Sequence, residues 1–248
     1  MALDIYNDGT YAARHPDWHA EDSDWKAGHL SSLLSPPCLA AMVGHRVTVV
    51  EVGCGYGGVV AAFCKRLESQ GIPCDGAGYD ISEDAVAGAA KRHPEIRFAR
   101  GEWRAGVDPC DIGLVVDVLE HAAEPIRLLE QAKAGFRHTL FHIPLDENCW
   151  GKVLRPGRYY QYLREDRGHI HCFTRASAFR LLEAAGLVIE RWKYSHWGVE
   201  LYKPGGGRSA PIVRLCRAAG RHVWPDLSVR LFGGASLAVL ARPRSEQP

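Results

Sequence analysis

The chain has 248 residues, 46% of them hydrophobic and 24% charged, which is typical of a globular protein with a sizeable core. A formal net charge of +1 argues against general nucleic-acid affinity, which usually requires a clear basic excess. No basic-then-apolar leader opens the sequence, and no apolar run approaches the roughly 20 residues that cross a bilayer, so we expect a cytoplasmic protein without a membrane span.

Strand-like and helix-like segments alternate from residue 47 onward. The predicted strands are 46–52, 73–80, 96–103, 111–117, 138–144, 187–194 and 235–242. The predicted helices are 58–71, 82–93, 124–135 and 174–186, with Ser82 and Thr174 as caps and Pro125 as a first helical residue. This alternation predicts an α/β fold with a doubly wound, mostly parallel sheet. Eight scattered cysteines, with no C-x-x-C pair, indicate reduced and mostly buried thiols rather than disulfides or a zinc site.

Three stretches lie outside the alternation: 1–46, 144–172 and 198–233. We predict that 1–46 is an N-terminal helical cap on the domain 47–248, and that the other two are substrate-lid insertions. The cap is rich in aromatic and histidine side chains that are rarely left in solvent: Tyr6, Tyr11, His15, Trp18, His19, Trp25 and His29. Lys26 in this segment could reach the carboxylate of a bound cofactor.

The segment "VTVVEVGCGYGG", residues 47–58, places four glycines directly after a buried strand. Its spacing fits both a dinucleotide site and a G-x-G-x-G loop preceded by an acid. Glu51, at the end of the strand, would repel a pyrophosphate, whereas it would attract a cationic ligand. S-adenosylmethionine carries a sulfonium and an ammonium group, so the loop favours this cofactor.

Acidic residues end four successive predicted strands: Glu51, Asp80, Glu102 and Asp117. Asp80 is placed to accept hydrogen bonds from the ribose hydroxyls. Glu102 is placed to accept from the adenine amino group, with the Trp103 ring as a flat apolar wall. The ordered set predicts the rim of a site for a cationic ligand that contains a ribose.

The segments "VVEVGCGYGG", "GYDIS", "DVLEH" and "GHIHCFTRASAFRLLEAAGLVIERWKY" resemble class I S-adenosylmethionine-dependent methyltransferases, and within them the group containing the ubiquinone-pathway O-methyltransferases. The resemblance covers about residues 47–195 and the final strand. It implies a seven-stranded, Rossmann-like methyltransferase sheet whose last strand is antiparallel. It also implies cofactor contacts from Glu51, Gly53, Gly55, Gly57, Asp80, Glu102 and Asp117, to which we add Cys54, Ile81, Trp103 and Val118.

Methyl transfer requires alignment of the acceptor with the methyl group and, for a hydroxyl, removal of a proton. Histidine is the usual base near neutral pH. His142 and His169 are our first candidates and His121 the third, because all three lie near predicted carboxyl ends of strands or beside the next helix. Each of them could equally be a satisfied structural histidine.

Asp117, Glu120 and His121 form an acid-x-x-acid-His grouping. This grouping resembles the divalent-metal site of some ubiquinone-pathway enzymes and of the plant small-RNA 2′-O-methyltransferase. In the simpler interpretation, which we favour, Asp117 lines the cofactor site and the other two residues open the next helix. We therefore predict no metal ligand, and keep metal-assisted methylation of a catechol or an RNA 2′-hydroxyl as the alternative.

The substrate is predicted to be a small molecule, a hydroxylated biosynthetic intermediate that is methylated on oxygen, with nitrogen as the second choice. No nucleic acid is expected. Arginines and aromatic rings alternate in 148–169, which suits an anionic or sugar-like acceptor but also an ordinary solvated lid. The stretch Arg208 to Arg221 predicts an amphipathic helix with a charged outer face, which could contact a membrane or a partner. A homodimer is possible. The remaining alternatives are a non-catalytic cofactor-binding subunit and a dinucleotide or nucleotide-sugar enzyme.

Overall fold

The computed structural model describes residues 20–106, 110–154, 157–201 and 211–244. A short 3-10 turn, Ala20–Asp22, precedes the first helix. The strands are β1 Val47–Val52, β2 Cys74–Asp80, β3 Arg97–Arg100, β4 Cys110–Val116, β5 Phe136–Pro144, β6 Leu187–Ser195 and β7 Ser236–Pro243. The helices are α1 Ser23–Ser31, α2 Pro36–Met42, α3 Gly58–Glu68, α4 Glu83–Arg92, α5 Pro125–Gly135, α6 Cys149–Leu154, α7 Arg158–Glu165, α8 Arg175–Ala184, α9 Trp197–Glu200, α10 Pro211–Val223 and α11 Pro225–Phe232.

The seven strands form one sheet in the order β3-β2-β1-β4-β5-β7-β6. β7 pairs antiparallel with both β5 and β6, and the other pairs are parallel. The predicted doubly wound, mostly parallel sheet is therefore confirmed, together with the antiparallel last strand. The strand order reverses between β1 and β4, and ligands of such sheets bind at the carboxyl ends of the strands beside this reversal.

Local sequence signals account for most element boundaries. The Ser82 side chain accepts a hydrogen bond from the amide of Ala85 and so caps α4, and Thr174 caps α8 in a capping box with Ser177. β3 is shorter than the predicted 96–103 and ends before Gly101, whose φ of +123° leaves the extended conformation. The segment after β3 is therefore irregular.

The N-terminal helix α1 shares the main hydrophobic core with the sheet. Ala27 and Leu30 are fully buried in a cluster that also contains Val49 of β1 and Phe63 of α3. Burying four such side chains contributes a few kcal/mol at about 25 cal/mol per Å². The predicted division into a cap and a core domain stays a prediction, and the predicted cap residues Tyr6 to His19 lie outside the described residues.

One pair of cysteines departs from the expectation that all eight are reduced. Cys64 on α3 and Cys74 at the start of β2 form a disulfide, with their Cα atoms 5.5 Å apart. The turn between helix and strand folds back and brings the two positions within the usual span of a disulfide. Such a pairing depends on a turn geometry that cysteine spacing alone does not indicate.

The predicted amphipathic helix exists as α10, but its orientation is the reverse of the predicted one. We expected a charged outer face, whereas Ile212 and Leu215 are exposed and Arg217 is buried. The Arg217 guanidinium donates two hydrogen bonds to the carbonyl oxygen of Phe232 at the end of α11. This partner stabilises the arginine inside, which turns the apolar stripe outward. No helix among the described residues is long and apolar enough to cross a membrane.

Candidate active site

The glycine loop lies where the strand order reverses, directly after β1. Gly53, Gly55 and Gly57 all have positive φ values, between 51° and 73°. A Cβ on Gly53 would lie 2.6 Å from a methyl group of Val118, so the loop passes against the segment that follows β4. The backbone conformation and the close approach both require glycine, and they leave an open backbone surface for a ligand.

The acids at the ends of β1 and β2 are buried and fixed by backbone amides. Glu51 is 2% exposed and accepts a hydrogen bond from the amide of Val60 in α3 at 3.0 Å. Burial raises the pKa of Glu51 to about 8. Asp80 accepts from the amides of Gly55 and Ser82 at 2.8 and 2.9 Å, and burial raises its pKa as well.

Asp117, at the end of β4, forms an ion pair with Lys26 of α1. The Lys26 ammonium lies 2.9 Å from one carboxylate oxygen. Burial by itself would raise the pKa of Asp117, but Lys26 and His142 hold it below its usual range. The same pair, acting against burial, raises the pKa of Lys26. Asp117 is the one non-glycine residue of the described part with positive φ, at 52°, which aims its carboxylate out of the strand direction.

His142 of β5 is held at both ring nitrogens. Its Nδ1 lies 2.6 Å from an oxygen of Asp117, and its Nε2 lies 2.9 Å from the hydroxyl of Ser195. The ring is 2% exposed, and Ser195 is fully buried. Both ring nitrogens of His142 thus have partners in the ligand-free protein, and its predicted role as a base stays a prediction. The ring links the ends of β4, β5 and β6.

A second cluster, beyond Asp117, brings together Glu120, His121 and His169. One ligand atom from each lies within 4.8 Å of the others. The His169 Nδ1 is 2.7 Å from a carboxylate oxygen of Asp146, and the His121 Nδ1 is 3.0 Å from the carbonyl of Gly168. The two rings meet edge to face, with centroids 4.9 Å apart.

Glu120 is almost fully buried in this cluster, and its two carboxyl oxygens have no hydrogen-bond partner among the described residues. The nearest nitrogen of His121 is 3.8 Å away. Burial, and next the charge of Asp117, raise the pKa of Glu120 well above its usual value. Burial, and next the proximity of His169, lower the pKa of His121 to about 4. Burial therefore favours the uncharged form of both groups in the ligand-free protein.

Glu102 and Trp103 lie apart from these clusters. Glu102 is exposed and lies 3.7 Å from the guanidinium of Arg127. The Trp103 ring is mostly buried and stacks on Phe136 at a centroid distance of 4.2 Å. Most of the ring is thus a core surface, although its edge contributes to a cavity of about 230 Å³ lined by Glu102, Trp103, Arg104, Arg127 and Gln131. The adenine-facing role of both residues stays a prediction.

Three of the four residues that we added to the predicted cofactor site lie in the glycine loop or directly after β2 and β4. Cys54 is buried, and this burial raises the pKa of its thiol. Val118 lies against Gly53, and Ile81 follows Asp80 at the end of β2. Burial, and next the charges of Glu51 and Asp80, disfavour a thiolate at Cys54, which is typical of a buried thiol that is not a nucleophile.

The predicted cap and lid both contact the site. The Trp25 indole donates to Glu200 at 2.8 Å, and His29 contacts the same carboxylate, so α1 is tied to α9. In the lid, the Tyr159 hydroxyl donates to the carbonyl of Asp146 at 2.9 Å. The aromatic lid is therefore attached to the same residue whose carboxylate orients His169.

Sequence reasoning missed two residues of this site, Asp146 and Ser195. Asp146 follows β5 by two positions and lies 23 residues before His169, and Ser195 ends β6 and lies 53 residues after His142. Their contacts depend on which strands become neighbours. A polar residue at a strand's carboxyl end is the one sequence signal that was present for both.

A family model described as a methyltransferase domain matches residues 19–191, more than two thirds of the chain. No curated protein matches. Solved structures share the fold, including a Haloferax volcanii putative methyltransferase in complex with the Trm112 activator (14% identity, TM-score 0.61, 98% of this chain and 99% of that one). Another is magnesium protoporphyrin IX methyltransferase from Synechocystis PCC 6803 with bound S-adenosylhomocysteine (16%, 0.56, 94% and 86%).

A third similar structure is an S-adenosylmethionine-dependent methyltransferase from Mesorhizobium loti (21% identity, TM-score 0.52, 86% of this chain and 99% of that one). The matched family covers the glycine loop, the strand-end acids and the histidine cluster. The chain belongs to the methyltransferase domain family and is an S-adenosylmethionine-dependent methyltransferase.

Proposed function

We propose that this enzyme methylates a hydroxyl oxygen of a small-molecule acceptor and that His169 removes the hydroxyl proton. The observation that carries the proposal is the pair formed by His169 and Asp146, 2.7 Å apart at the carboxyl edge of the sheet. A carboxylate that accepts from Nδ1–H leaves Nε2 with its lone pair, which is the form of imidazole that acts as a base. Asp146 is the one hydrogen-bond partner of the His169 ring within the described residues.

Methyl transfer requires few other groups from the protein. The acceptor oxygen attacks the methyl carbon in line with the leaving sulfur, and the base takes the proton. Since the sulfonium is a good leaving group, orientation and exclusion of water supply most of the acceleration. The cap helix α1 and the lid helices α6 and α7 are the elements that could close over the acceptor.

For the cofactor, we propose that the glycine loop approaches its methionine moiety and that Asp80 accepts from the ribose hydroxyls. Glu51 and Asp117 provide negative charge for the ammonium and the sulfonium. Lys26 would then pair with the cofactor carboxylate, because it already lies among these acids. Glu102 and the cavity beside it are proposed for the adenine.

The acceptor class is inferred from the lid and from the resemblance to the group containing the ubiquinone-pathway O-methyltransferases. Tyr159, Tyr160, Arg158 and Arg164 lie on or beside α7, and such a mixture recognises sugar-like or anionic molecules by stacking and charge. These features support a hydroxylated, partly anionic acceptor. Homodimer formation stays a prediction.

The test is release of S-adenosylhomocysteine in the presence of hydroxylated aromatic acids and sugars, with the product identified by mass spectrometry. The variant His169→Gln should lower kcat by about 10²- to 10⁴-fold, while its affinity for S-adenosylhomocysteine stays unchanged. The matched control is His93→Gln, a substitution at a partly exposed histidine remote from the site, which should leave kcat unchanged. Unchanged turnover in His169→Gln would remove this residue from the mechanism.

A second candidate, metal-assisted O-methylation, is favoured by the unpartnered carboxylate of Glu120. A buried carboxyl group without hydrogen bonds is costly, and a cation would satisfy it. His121 and His169 each bond through Nδ1 to an oxygen, as metal-binding histidines usually do. One carboxylate and two imidazoles suit Zn²⁺ or Mn²⁺ better than Mg²⁺. Asp117 is not part of this donor set, because Lys26 and His142 occupy its carboxylate.

The variant Glu120→Gln separates the two candidates. With His169 as a base, no charge is required on Glu120, whose uncharged form is favoured by burial, and an uncharged amide of the same shape should change kcat less than about tenfold. With a bound metal, the variant loses the single carboxylate ligand and should lose most activity and metal content. A chelator should likewise abolish turnover only if a metal ion is bound. The acceptor of the metal-assisted reaction would be a vicinal diol such as a catechol or a terminal ribose.

A further inference from the structure

The hairpin of α10 and α11, residues 211–232, exposes an unusual amount of apolar surface. Six large apolar side chains are between 38% and 68% exposed: Ile212, Leu215, Val223, Trp224, Leu227 and Leu231. They make up more than half of the large apolar residues of the described chain that are exposed to this degree. Single exposed apolar residues are ordinary, whereas a concentration of them marks a binding surface.

These side chains follow the helical repeat rather than a random scatter. Ile212, Leu215 and Val223 are spaced so that they lie on one side of α10, and Leu227 and Leu231 are four residues apart on α11. Trp224 lies at the corner between the two helices. On the other side of α10, Arg217 is buried and its guanidinium donates to the carbonyl of Phe232 in α11. The packing of the two helices against each other therefore turns the apolar side of α10 outward.

Positive charge is concentrated in the same part of the chain. Residues 202–232 contain six arginines and lysines and a single acid, a net charge of +5. The remaining residues contain 24 basic and 28 acidic side chains, a net charge of −4. Of the arginines on the two helices, Arg217 is buried and Arg221 lies 3.6 Å from Glu200, whereas Arg230 is exposed on α11 between Leu227 and Leu231. The apolar surface is thus part of a basic segment of an otherwise acidic protein.

We propose that the α10–α11 hairpin is a docking surface for an anionic lipid bilayer. Amphipathic helices of this kind lie in the plane of the interface, with the apolar side among the acyl chains. Trp224 is the residue type that is enriched at the level of the headgroups, and each basic residue near an anionic surface adds about 1 kcal/mol. Hydrophobic contact and charge therefore favour the same orientation.

A second copy of this chain and a nucleic acid each fit the hairpin less well than a lipid bilayer does. In a two-fold contact between copies of this chain, the hairpin would face the same hairpin, which brings two segments of net positive charge together. A nucleic acid would match the charge, but it would leave the aliphatic side chains of α10 without an apolar partner. A lipid surface satisfies both features of the hairpin.

The hairpin also adjoins the lid. Trp150 of α6 contacts Phe232 of α11 at a ring-centroid distance of 6.5 Å, and the side chain of Asn148 lies directly against Gly233. Docking would place the lid beside the membrane surface. The docking proposal does not depend on the identity of the acceptor or of the catalytic base.

The experiment is flotation of the full-length protein with vesicles of phosphatidylcholine alone or with about 30% phosphatidylglycerol. The test variant is Leu215→Ser/Trp224→Ser/Leu227→Ser, and the matched control is Val43→Ser/Ile126→Ser, which removes exposed apolar residues outside the hairpin. The wild type and the control should bind the anionic vesicles at least tenfold more strongly than neutral ones. The test variant should lose at least tenfold in partitioning, with unchanged Tm and unchanged affinity for S-adenosylhomocysteine.

Four outcomes would overturn the proposal. The first is equal partitioning of wild type and test variant, and the second is the absence of binding to anionic vesicles by the wild type. The third is a dimer, measured by light scattering, that dissociates in the test variant while vesicles bind neither protein. Binding of an RNA oligonucleotide without vesicle binding would equally assign the hairpin to another partner. If Trp224→Ser reduces folding, Leu215→Ser/Leu227→Ser with Arg230→Gln tests the same surface.

Discussion

Replacing Glu51 with glutamine should change how the stability of the ligand-free enzyme depends on pH. Glu51 is 2% exposed and has one backbone hydrogen bond, so burial raises its pKa from 4.5 to about 8. Between these two values the native state binds a proton that the unfolded state has released. The contribution of Glu51 to the unfolding free energy therefore falls as the pH rises through this window.

The size of the effect follows from the width of the window. Each pH unit between the unfolded and the native pKa costs about 1.4 kcal/mol of unfolding free energy. Between about pH 5 and about pH 7 the wild type should therefore lose roughly 2–3 kcal/mol relative to Glu51→Gln, which cannot titrate. The amide oxygen of glutamine can still accept the hydrogen bond from Val60, so the two proteins should be similar in stability at the acidic end.

Urea unfolding at about pH 5 and about pH 7 measures this difference directly. The control is Glu68→Gln, a substitution of an exposed glutamate. Parallel pH profiles for wild type and Glu51→Gln would refute the reasoning, because they would mean that Glu51 is ionised in the native protein. A second readout is calorimetry of cofactor binding in buffers of different ionisation enthalpy. The cationic cofactor should lower the pKa of Glu51, so binding near pH 7 should release a proton from the wild type and not from the variant.

The remaining predictions concern the cap and the glycine loop. Lys26→Met should lower the unfolding free energy by about 1–3 kcal/mol in urea titrations, because it leaves the carboxylate of Asp117, whose side chain is 30% exposed, with His142 but without its cation. The loss should shrink in the double variant with Asp117→Asn. Gly53→Ala should lower the unfolding free energy by about 2–3 kcal/mol and abolish S-adenosylhomocysteine binding in calorimetry, because an added Cβ would clash with Val118. The control is Gly71→Ala: Gly71 has a similar positive φ but lies in open space, so this variant should leave binding intact.

The fold was predictable from the sequence because its signals are local. The valine-rich run before the glycine loop, the Ser82 and Thr174 caps and the proline at the start of α5 each determine an element without reference to distant residues. Alternation of strands and helices then leaves few possible topologies. The acids at the ends of β1, β2 and β4 follow from the same boundaries, since a strand's carboxyl end lies at the ligand edge.

The orientation of helix α10 and the pairing of the cysteines were less predictable from the sequence. The helical repeat of α10 is visible in the sequence, but the choice of the inner stripe depends on a carbonyl of Phe232, 15 residues after Arg217. The disulfide of Cys64 and Cys74 likewise depends on a helix–strand turn. In each case the deciding contact joins two elements whose relative position is a result of folding and not a property of either segment.

The two leading histidines illustrate this limit at the site. In the sequence, His142 and His169 are equivalent candidates near the ends of strands. In the structure, His142 bonds both a carboxylate and a hydroxyl, whereas the His169 ring bonds one carboxylate and faces Glu120 and His121. A base requires an oriented ring with one accessible lone pair, and this geometry is the reason to propose His169 before His142. The number and direction of the second contacts distinguish two residues that the sequence leaves equal, and these contacts depend on the fold.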